Sequence, residues 1–488
     1  MYSHFLNKWQ QDYLLETTVD ELQDYMEKGE ITSRDLVLMY QNRIACLDQD
    51  GPKINSIIEM NPEALQIAQA LDRERKYKGP RSKLHGIPVL LKDNIDTEDK
   101  MRTSAGSIAL EEHVAREDAF IVKKLRQAGA VILGKANLTE WANFMADNMP
   151  NGYSSRGGQV LNPYGPGELD CGGSSSGSAA ALAANFTVLA IGTETSGSIL
   201  SPASDNSVVG IKPTVGLWSR SGIIPISHSQ DTAGPMARTV EDAAILLEIL
   251  SGPDAKDPVT LTKKDDIDGR YTNYLNAHGL KGTRLGVSQE FLNLLEDSEL
   301  DVIEKAIKNL ENLGAHIVSG ITYPPKIDWD LNVLLHEFKV GINTYLRNTG
   351  DRVPVKSLTE LINFNYRNKE IALKYGQERL LKSNKTKGTL TEPEYLKSRE
   401  HDLFYSKDKG IDAVMEEYNL DALIFPANLG ANIPARAGYP SITVPAGYNS
   451  TGKPIGLTFT AKAYEEGKLI KIAYSYEQAV SNRVPPQK

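Results

Sequence analysis

The sequence predicts an α/β protein that carries a helical insertion, and three observations support this fold class. From about residue 84, short apolar strands alternate with amphipathic helical segments, which is the rhythm of α/β folds. The 488 residues exceed the size of one compact core, roughly 250–300 residues, so several lobes or one large sheet with insertions is expected. Residues from about Trp329 to Asn419 are helix-patterned and rich in Lys, Glu and Tyr, unlike the apolar segments before them.

The first 75 residues are predicted to be helical. Thr18 and Glu21 have the spacing of a capping box in front of "VDELQDYMEK", and Gly29 can end that helix. Thr32 or Ser33 can begin a second helix. The basic run at 73–83, "RERKYKGPRSK", contains glycine and proline and is interpreted as a solvated loop.

The segments that follow predict strands and the helices between them. Strands are expected at "GIPVLL" and "AVILG", helices at "AFIVKKLRQAG" and "NLTEWANF", and a buried helix running into a strand at "AAALAANFTVLAIG". The middle is rich in Gly and Ser until the amphipathic helix Val240–Leu250. Farther on, strands are expected at "TRLGVS", "AHIVSG", "LDALIFPA", "PSITVPAG" and "IGLTFTA", and helices at "DVIEKAIKNLENLG" and "KLIKIAYSYEQAV".

Composition excludes several classes of function. The net charge of −9 argues against a nucleic-acid partner, because phosphates require a basic face. Two cysteines, Cys46 and Cys171, are too few for a disulfide framework or a cysteine metal site, and the zinc motif HExxH is absent. No segment holds the ~18 apolar residues of a membrane span, and the N-terminal segment lacks the apolar core of a signal peptide. A cytoplasmic protein without a metal or cofactor is expected.

Two Gly/Ser segments hold the candidate nucleophiles: "GGSSSGSAA", which begins at Gly172, and "TETSGS", which ends at Ser198. A phosphate cradle is the first interpretation, because a Gly-rich turn before a helix points backbone N–H groups at anions. The Lys-Ser/Thr pair of a P-loop is missing, and no GxGxxG follows a strand. Nucleotide binding is therefore disfavoured.

A nucleophile elbow is the second interpretation, because residues 173–177 match G-x-S-x-G and would nominate Ser175. An elbow needs a buried strand directly before the serine, whereas "NPYGPGELDC" precedes it here. The chemistry also needs a histidine. Of the eight histidines, only His228 lies in a polar loop with an acid nearby, and a surface or structural role suits it better.

A lysine base is the third interpretation. Lysine normally titrates near ~10.4, so it accepts a proton at neutral pH only where desolvation or its neighbours favour the neutral form. Lys92 ends the apolar strand "GIPVLLK", and Lys135 follows "AVILG" in almost the same setting. The physics of the sequence alone does not separate the two.

Four motifs together closely resemble the amidase signature family: "GIPVLLKDNID", "GGSSSGSAAALAAN", "GTETSGSILSPASDNSVVGIKPT" and "GPMARTVEDAA". The resemblance extends from the helical start to the closing helix. It implies a single domain over residues 1–488, with a large central mixed β-sheet covered by helices on both faces. The expected segments are N-terminal helices at 1–75, the signature core at 76–250, an α/β segment at 251–325, a substrate-side helical insertion at 326–419 and a return to the sheet at 420–488.

The resemblance also implies a Ser-Ser-Lys triad in place of Ser-His-Asp. The family's lysine falls on Lys92, its bridging serine on Ser174, and its nucleophile on Ser198. In this family the bridging serine follows a cis peptide bond, here Gly173–Ser174. Ser175 is expected to support Lys92 by hydrogen bonding.

The same resemblance assigns roles to the second Gly/Ser segment. The backbone N–H groups of Thr195, Ser196, Gly197 and Ser198 are expected to line an oxyanion hole. Many relatives carry Asp or Gly where this chain has Ser196, a departure that leaves the backbone donors intact.

Neighbouring residues receive structural roles. Lys135 reverts to a structural or pocket residue, and Ser176 and Ser178 are interpreted as helix N-terminal caps. Glu194 is interpreted as a salt-bridge or turn residue and Asp231 as a loop anchor.

Acyl transfer is the expected chemistry, and no cofactor is required for it. "EWANF", "GYSSRGGQVLNPYG" and "GLWSRSGIIPISHSQDTAGPM" look most like the peptide amidase branch, whose members remove the C-terminal amide of peptides and release ammonia. Three alternatives stay open: an aryl or aliphatic acylamidase, ester or carbamate hydrolase; the amidase subunit of an aminoacyl-tRNA amidotransferase; and a catalytically dead binding protein. The expected partner is a small-molecule or peptide amide, and the expected assembly is a monomer or homodimer.

The substrate pocket is expected to draw on the helical insertion. Residues between Trp329 and Ser383, together with the loop Met145–Gly158, are predicted to shape it. Tyr153 and Phe338 are the candidate substrate-binding residues.

Overall fold

A large β-sheet forms the centre of the computed structural model, which describes residues 4–262, 269–323 and 327–487. The strands in these ranges are β1 Ile57–Met60, β2 Pro88–Lys92, β3 Val131–Ala136, β4 Tyr153–Ser154, β5 Gly158–Gln159, β6 Leu189–Glu194, β7 Val209–Lys212, β8 Thr232–Ala237, β9 Arg284–Ser288, β10 His316–Ile321, β11 Ala422–Pro426, β12 Ser441–Tyr448 and β13 Pro454–Thr460. Eleven of them make one mixed sheet in the order β1-β3-β2-β6-β8-β7-β12-β13-β11-β9-β10, and β4 and β5 form a separate hairpin. The predicted α/β class with a large mixed sheet is confirmed.

Helices flank this sheet. The α-helices are α1 His4–Asp12, α2 Val19–Glu27, α3 Ser33–Arg43, α4 Ala64–Lys78, α5 Phe120–Ala128, α6 Glu140–Asn143, α7 Ser176–Ala183, α8 Leu200–Asp205, α9 Val240–Leu250, α10 Gln289–Leu292, α11 Asp297–Asn312, α12 Asn332–Arg347, α13 Leu358–Arg367, α14 Lys369–Ala372, α15 Glu378–Lys385, α16 Pro393–Leu403, α17 Asp412–Glu417, α18 Asn432–Ala437 and α19 Glu466–Val480. Short 3₁₀ or π segments lie at Ile44–Gln49, Ile108–Leu110, Pro258–Thr262, Tyr271–Tyr274 and Phe404–Ile411. None of the helices in the described ranges is long and apolar enough to cross a bilayer.

The strand pairing determines where polar loops meet. β2 runs parallel to β6, with Leu91 paired to Ile191. β2 is also parallel to β3 on its other side. Because parallel strands end at the same edge of a sheet, the residues after Lys92 and those after Glu194 emerge side by side.

The N-terminal helices form as the sequence predicts. Thr18 and Glu21 make both hydrogen bonds of a capping box in front of α2. Thr32 caps α3 with Asp35 as its partner. The expected all-helical segment 1–75 nevertheless contains β1, which pairs antiparallel with β3 and forms one edge of the main sheet.

Two local predictions were wrong. The basic run at 73–83 is not a loop throughout, because α4 continues to Lys78 and places Arg75, Lys76 and Lys78 in its last turn, where cations interact favourably with the helix dipole. The expected helix at "NLTEWANF" is reduced to Glu140–Asn143. Trp141 and Ala142 lie there in the left-handed region, at φ of 51° and 53°.

The Gly/Ser-rich middle contains two strands that the sequence did not reveal, β7 and β8. β8 lies next to β6, and β7 lies between β8 and β12, in the centre of the sheet. "TAGPMA" in β8 contains a glycine and a proline, and both residues normally argue against a central strand.

Helices α12 to α17 lie within the predicted insertion, whose expected first residue, 326, is outside the described residues. The apolar faces of α12, α13, α15 and α16 belong to a second cluster, separate from the core of the sheet, whereas Val414 and Met415 of α17 belong to that core. We call the second cluster the insertion cluster: Ala105, Ala109, Leu110, Trp141, Phe144, Met145, Ala146, Met149, Ile224, Ile226, Val333, Leu334, Phe338, Ile342, Leu346, Val353, Val355, Leu358, Leu361, Ile362, Leu380 and Tyr395. The insertion therefore packs on loops that leave the sheet at the edge where β2 and β6 end.

Candidate active site

Lys92 is the last residue of β2 and is fully buried. Its Nζ lies 2.7 Å from Ser174 Oγ, 2.9 Å from Ser175 Oγ and 3.0 Å from the Thr193 carbonyl oxygen. No carboxylate is among these partners. The lysine thus ends its strand in a shell of hydroxyl and carbonyl oxygens.

Burial lowers the pKa of Lys92 well below its usual value of 10.5. The charges of Glu194 and Asp231 act in the opposite direction and do not overcome the desolvation. A buried amine with no contacting counter-ion favours the form with a lone pair on nitrogen.

The serine loop presents Ser174 and Ser175 to this lysine. The Gly173–Ser174 peptide bond is cis, as the resemblance implied. The carbonyl of Ser174 accepts from the Thr139 N–H at 3.1 Å. Ser175 donates its hydroxyl to the Thr193 carbonyl at 3.1 Å and accepts from the Thr193 N–H at 3.2 Å. Both serines are therefore fixed before α7 begins.

The expected capping role of Ser176 and Ser178 was wrong. Neither side chain caps α7; the Ser176 hydroxyl donates to the Gly172 carbonyl at 2.5 Å, and the Ser178 hydroxyl donates to the Ile191 carbonyl at 3.1 Å. Both residues lie inside the helix and are fully buried, so their hydroxyls bond to carbonyls instead of helix N–H groups.

Ser198 lies in the turn between β6 and α8, and only 8% of it is exposed. Its carbonyl accepts from the Ser175 N–H at 3.1 Å, which ties the backbone of this turn to the serine loop. No described residue bonds to the Ser198 hydroxyl. Apo structures often leave catalytic hydrogen bonds long or unmade, so this geometry is compatible with a reacting serine.

Glu194 shapes the turn that carries Ser198. Its buried carboxylate accepts from the N–H groups of Gly197 at 2.7 Å, Ile199 at 2.7 Å and Leu200 at 3.1 Å. Gly197 has a φ of 79°, a left-handed conformation that glycine adopts without steric cost. Glu194 is thus a turn residue, one of the two roles expected for it.

The same contacts show which of the expected oxyanion-hole donors are already hydrogen-bonded within the protein. The Gly197 N–H is engaged by Glu194. Among the described residues, none accepts from the N–H of Thr195, Ser196 or Ser198. Three of the four expected backbone donors therefore remain available to a ligand.

Asp231 anchors the neighbouring loop, as predicted. Its carboxylate accepts from the Thr195 hydroxyl at 2.5 Å and from the N–H groups of Ile226 and Ser227 at 2.8 and 2.9 Å. Burial raises the pKa of Asp231 to about 6.

A cavity of about 440 Å³ opens beside this turn. Its lining includes Asn94, Thr195 and Asp231, and also Ile224, Ala142 and Tyr345. Lys92, Ser174 and Ser198 are not among the lining residues, so the cavity meets the turn at Glu194 and Thr195. Tyr345 comes from α12, so the insertion contributes to the pocket as expected. No residue of the expected loop Met145–Gly158 lines this cavity; the segment 220–232 does instead.

The two candidate substrate-binding residues lie elsewhere. Phe338 is fully buried in the insertion cluster and packs on Phe144, with ring centroids 4.9 Å apart. This position gives it a packing role and contradicts direct contact with a substrate. Tyr153 is half-buried against Tyr375, with ring centroids 4.8 Å apart, and does not line the cavity.

Lys135 and His228 take other positions. Lys135 is fully buried and donates to the Ile95 carbonyl and, at 2.9 Å, to the Thr103 hydroxyl. The side chain of His228 is 55% exposed, and its Nε2 lies 3.4 Å from Glu337 Oε1. Neither residue contacts Lys92, Ser174, Ser175 or Ser198.

Sequence reasoning missed a third buried lysine and an asparagine. Lys212 ends β7, and burial lowers its pKa to about 8, a shift that the charge of Glu194 opposes. Asn94 lies two residues after Lys92 and lines the cavity. Its place in "KDN", directly beyond a buried strand, was the available signal. Within the described ranges, no group of three or more His, Cys, Asp or Glu residues is arranged to hold a metal ion.

Comparison with known proteins gives consistent results. The Amidase family model matches residues 35–470. A probable amidase of Arabidopsis thaliana is 41% identical, over 97% of this chain and 91% of that protein.

Solved structures agree. Native peptide amidase from Stenotrophomonas maltophilia superposes with a TM-score of 0.91 at 44% identity, over 97% of this chain and 99% of that one. An amidase family protein from Bacillus anthracis str. Ames superposes with a TM-score of 0.94 at 42% identity, over 99% of this chain and 94% of that one. With this match over most of its length, the chain belongs to the amidase signature family and is an amidohydrolase similar to peptide amidase.

Proposed function

We propose that this amidase hydrolyses the C-terminal carboxamide of peptides and releases ammonia, with Ser198 as nucleophile, Ser174 as proton relay and Lys92 as base. The observation that carries the proposal is the fully buried Lys92 amine, which lies 2.7 Å from Ser174 Oγ and contacts no carboxylate of the described residues. The similarity to peptide amidase supports the substrate class.

The hydrogens around Lys92 can be assigned one by one. The Thr193 carbonyl only accepts, so it takes one N–H of the lysine. The Ser175 hydroxyl donates its hydrogen to the same carbonyl, so it can only accept in its hydrogen bond with Lys92. A neutral amine has two N–H groups, and both are then used. Its lone pair remains for Ser174, whose hydroxyl hydrogen it can accept.

The proton path follows from this assignment. Ser174 gives its hydrogen to Lys92 and takes the hydrogen of the Ser198 hydroxyl, so that Ser198 Oγ attacks the carbonyl carbon of the amide. The developing oxyanion is stabilised by the free N–H groups of Thr195, Ser196 and Ser198. No hydrogen bond joins Ser198 to Ser174 in the free enzyme, so rotation of the Ser198 side chain completes the path when substrate binds.

The second half of the reaction returns the proton. Lys92 gives it back through Ser174 to the amide nitrogen, the C–N bond breaks, and ammonia leaves. A water molecule, deprotonated by the same relay, then attacks the acyl-enzyme and releases the carboxylic acid and Ser198. Each atom is accounted for without a metal or cofactor.

The test is ammonia release from peptide C-terminal amides, short aliphatic amides and aryl amides. Ser198→Ala should abolish turnover with all of them, whereas Ser201→Ala should change it less than about threefold. Ser201 is the matched control because it is equally buried, at 8%, on the adjacent α8, and its hydroxyl contacts the serine loop only by a long hydrogen bond of 3.4 Å from the Gly173 N–H.

Each outcome is informative. Ammonia from peptide amides with wild-type protein and none with Ser198→Ala supports both the nucleophile and the substrate class. Ammonia only from small or aryl amides removes the peptide substrate class. A Ser198→Ala protein with near wild-type activity refutes the nucleophile.

A further inference from the structure

Asn94 lines the cavity close to the turn that carries Thr195 and is held in place there. It is 2% exposed, and its Nδ2 donates to Thr193 Oγ1 at 3.0 Å. Its backbone carbonyl accepts from the Ile224 N–H at 2.9 Å. The side chain and the main chain of Asn94 are therefore fixed from two different sides of the cavity.

The other end of this amide group has no partner in the part of the chain that the structure describes. Asn94 Oδ1 is buried and accepts no hydrogen bond. The cavity-lining residues all belong to the described ranges, and among them this is the one buried side-chain oxygen or nitrogen without a partner. Asp231, by contrast, is occupied by Thr195 and two backbone N–H groups.

A buried acceptor without a partner is unfavourable unless water or a ligand supplies a donor, and a substrate that displaces water must replace the donor it removes. The ligand that reaches this point should therefore carry an N–H or O–H group. The cationic side chains that line the cavity do not supply this donor to Asn94 Oδ1, because they have partners of their own. Arg220, for example, is paired with Asp257, its Nη2 lying 2.6 Å from Asp257 Oδ1.

The position of Asn94 identifies which part of the substrate it meets. β2 and β6 are paired in parallel up to Leu91 and Ile191, so the next residues bring Asn94 beside the turn that begins at Thr195. Thr193, the partner of Asn94 Nδ2, also offers its carbonyl to Lys92. Asn94 is therefore next to the proton path and the oxyanion-hole donors at once.

We propose that Asn94 Oδ1 accepts a hydrogen bond from the nitrogen of the scissile carboxamide and so selects amides over esters. The inference rests on the proposed function. A primary carboxamide places its oxygen in the oxyanion hole and presents two N–H groups beside the carbonyl carbon, and one of them meets Asn94. An ester has no hydrogen at that position, so it leaves Asn94 Oδ1 without a partner.

The contact persists through bond cleavage. The nitrogen gains the proton that Lys92 and Ser174 return, the C–N bond breaks, and the departing ammonia still donates to Asn94. Asn94 neither gains nor loses a proton, so it is a positioning and specificity residue in the reaction.

The experiment compares a peptide amide with the methyl ester of the same peptide. Both form the same acyl-enzyme, so their difference lies in the acylation step. Asn94→Ala should lower kcat/KM for the amide about tenfold while kcat/KM for the ester stays within about twofold. Asn94→Asp keeps an acceptor oxygen and should keep the amide/ester ratio within about threefold of wild type.

Three results would overturn the inference. Equal losses for amide and ester would mean that Asn94 contacts the acyl part of the substrate. An unchanged amide/ester ratio in Asn94→Ala with both activities intact would mean that Asn94 contacts no part of it. A loss in Asn94→Asp as large as in Asn94→Ala would assign the role to the donor Nδ2 instead of the acceptor Oδ1.

The ester activity itself reports whether each variant is folded. If Asn94→Ala does not fold, Asn94→Leu, which is closer in volume and also lacks an acceptor, repeats the test.

Binding gives an independent readout. In Ser198→Ala protein, calorimetry should show about tenfold weaker amide binding after Asn94→Ala and unchanged ester binding. An active Ser198→Ala protein would contradict the proposed function, whatever the Asn94 variants show. Failure of the proposed function can therefore be distinguished from failure of the inference about Asn94.

Discussion

Lys92 is the last residue of β2, and Lys135 is the next-to-last residue of the adjacent parallel strand β3. Both are fully buried, and yet they have different neighbours. Lys92 meets two serine hydroxyls and a carbonyl, and the acids that raise its pKa are Glu194 and Asp231. Lys135 bonds a carbonyl and a threonine hydroxyl, and four acids raise its pKa: Asp93, Asp96, Asp99 and Glu59.

The comparison shows what makes a buried lysine a base. Desolvation lowers the pKa of both side chains, but the surrounding acids of Lys135 favour its charged form. Lys92 has fewer acids nearby and a serine hydroxyl from which to take a proton. Burial is therefore necessary for a lysine base, and the neighbouring groups decide whether the amine is used as one.

The largest expected effect separates the two lysines directly. Lys92→Met should lower kcat/KM by about 10⁴, because it removes the base and leaves an apolar side chain of similar length. The fold should survive. Burial lowers the pKa of Lys92 well below 10.5, so at pH 7 the folded protein holds this proton more weakly than the unfolded chain, which favours unfolding. The variant removes that cost and should therefore be no less stable than wild type. Kinetics and urea unfolding check both statements; an active Lys92→Met protein with an inactive Lys135→Met protein would reverse the assignment.

The pH profile is the next test of the same contrast. Below its pKa the Lys92 amine is protonated and has no lone pair, so kcat/KM should fall about tenfold per pH unit on the acid side. Since burial lowers that pKa well below 10.5, the activity plateau should begin far below the pH at which an exposed lysine loses its proton. Lys135→Met should leave this acid limb where it is. A shift of the limb in that variant would show that the two lysines are coupled.

Removing a hydroxyl partner of Lys92 should have an intermediate effect. Ser175→Ala deletes one acceptor of a lysine N–H, and this bond favours the charged amine more than the neutral one. We expect kcat/KM to fall roughly ten- to a hundredfold and the acid limb to move to lower pH. Rate measurements from acid to neutral pH test this, with Ser201→Ala as the control. A loss of rate without a shift of the limb would give Ser175 a purely structural role.

The smallest effect on catalysis is expected at the other lysine. Lys135→Met should change kcat/KM of the folded protein less than about threefold. It removes the cation that acts on Asp96, whereas Asp93 keeps Arg156 as a second one, so the free energy of unfolding should fall by about 3 kcal/mol. Urea unfolding measures this loss. A Lys135→Met protein as stable as wild type would show that those acids are already neutral in the native state.

Apolar periodicity made most of the fold predictable. Val240–Leu250 was predicted with its exact bounds, and α5 lies within the segment "AFIVKKLRQAG" that predicted it. β7 and β8 were missed because their short segments contain glycine and proline, and only the neighbouring strands make those residues acceptable. The left-handed turn at Trp141 was missed because nothing in local sequence distinguishes it from a helix.

The candidate site was predictable where family motifs reach it. Lys92, Ser174 and Ser175 are brought together as expected. The engagement of the Gly197 N–H by Glu194 was not predictable, because it depends on where a buried carboxylate points after folding. The buried position of Phe338 was missed for a related reason, since the sequence did not show which face of α12 is inward.

The division into two apolar clusters has a thermal consequence. Ile224 and Ile226 line the cavity and belong to the insertion cluster, not to the core of the sheet. Proteins open in cooperative units that differ in stability, and the smaller cluster can open while the sheet stays folded. Heating should therefore abolish activity at a lower temperature than the one at which the strands melt. A tightly bound substrate analogue should raise the temperature of inactivation and so reduce the difference between the two temperatures.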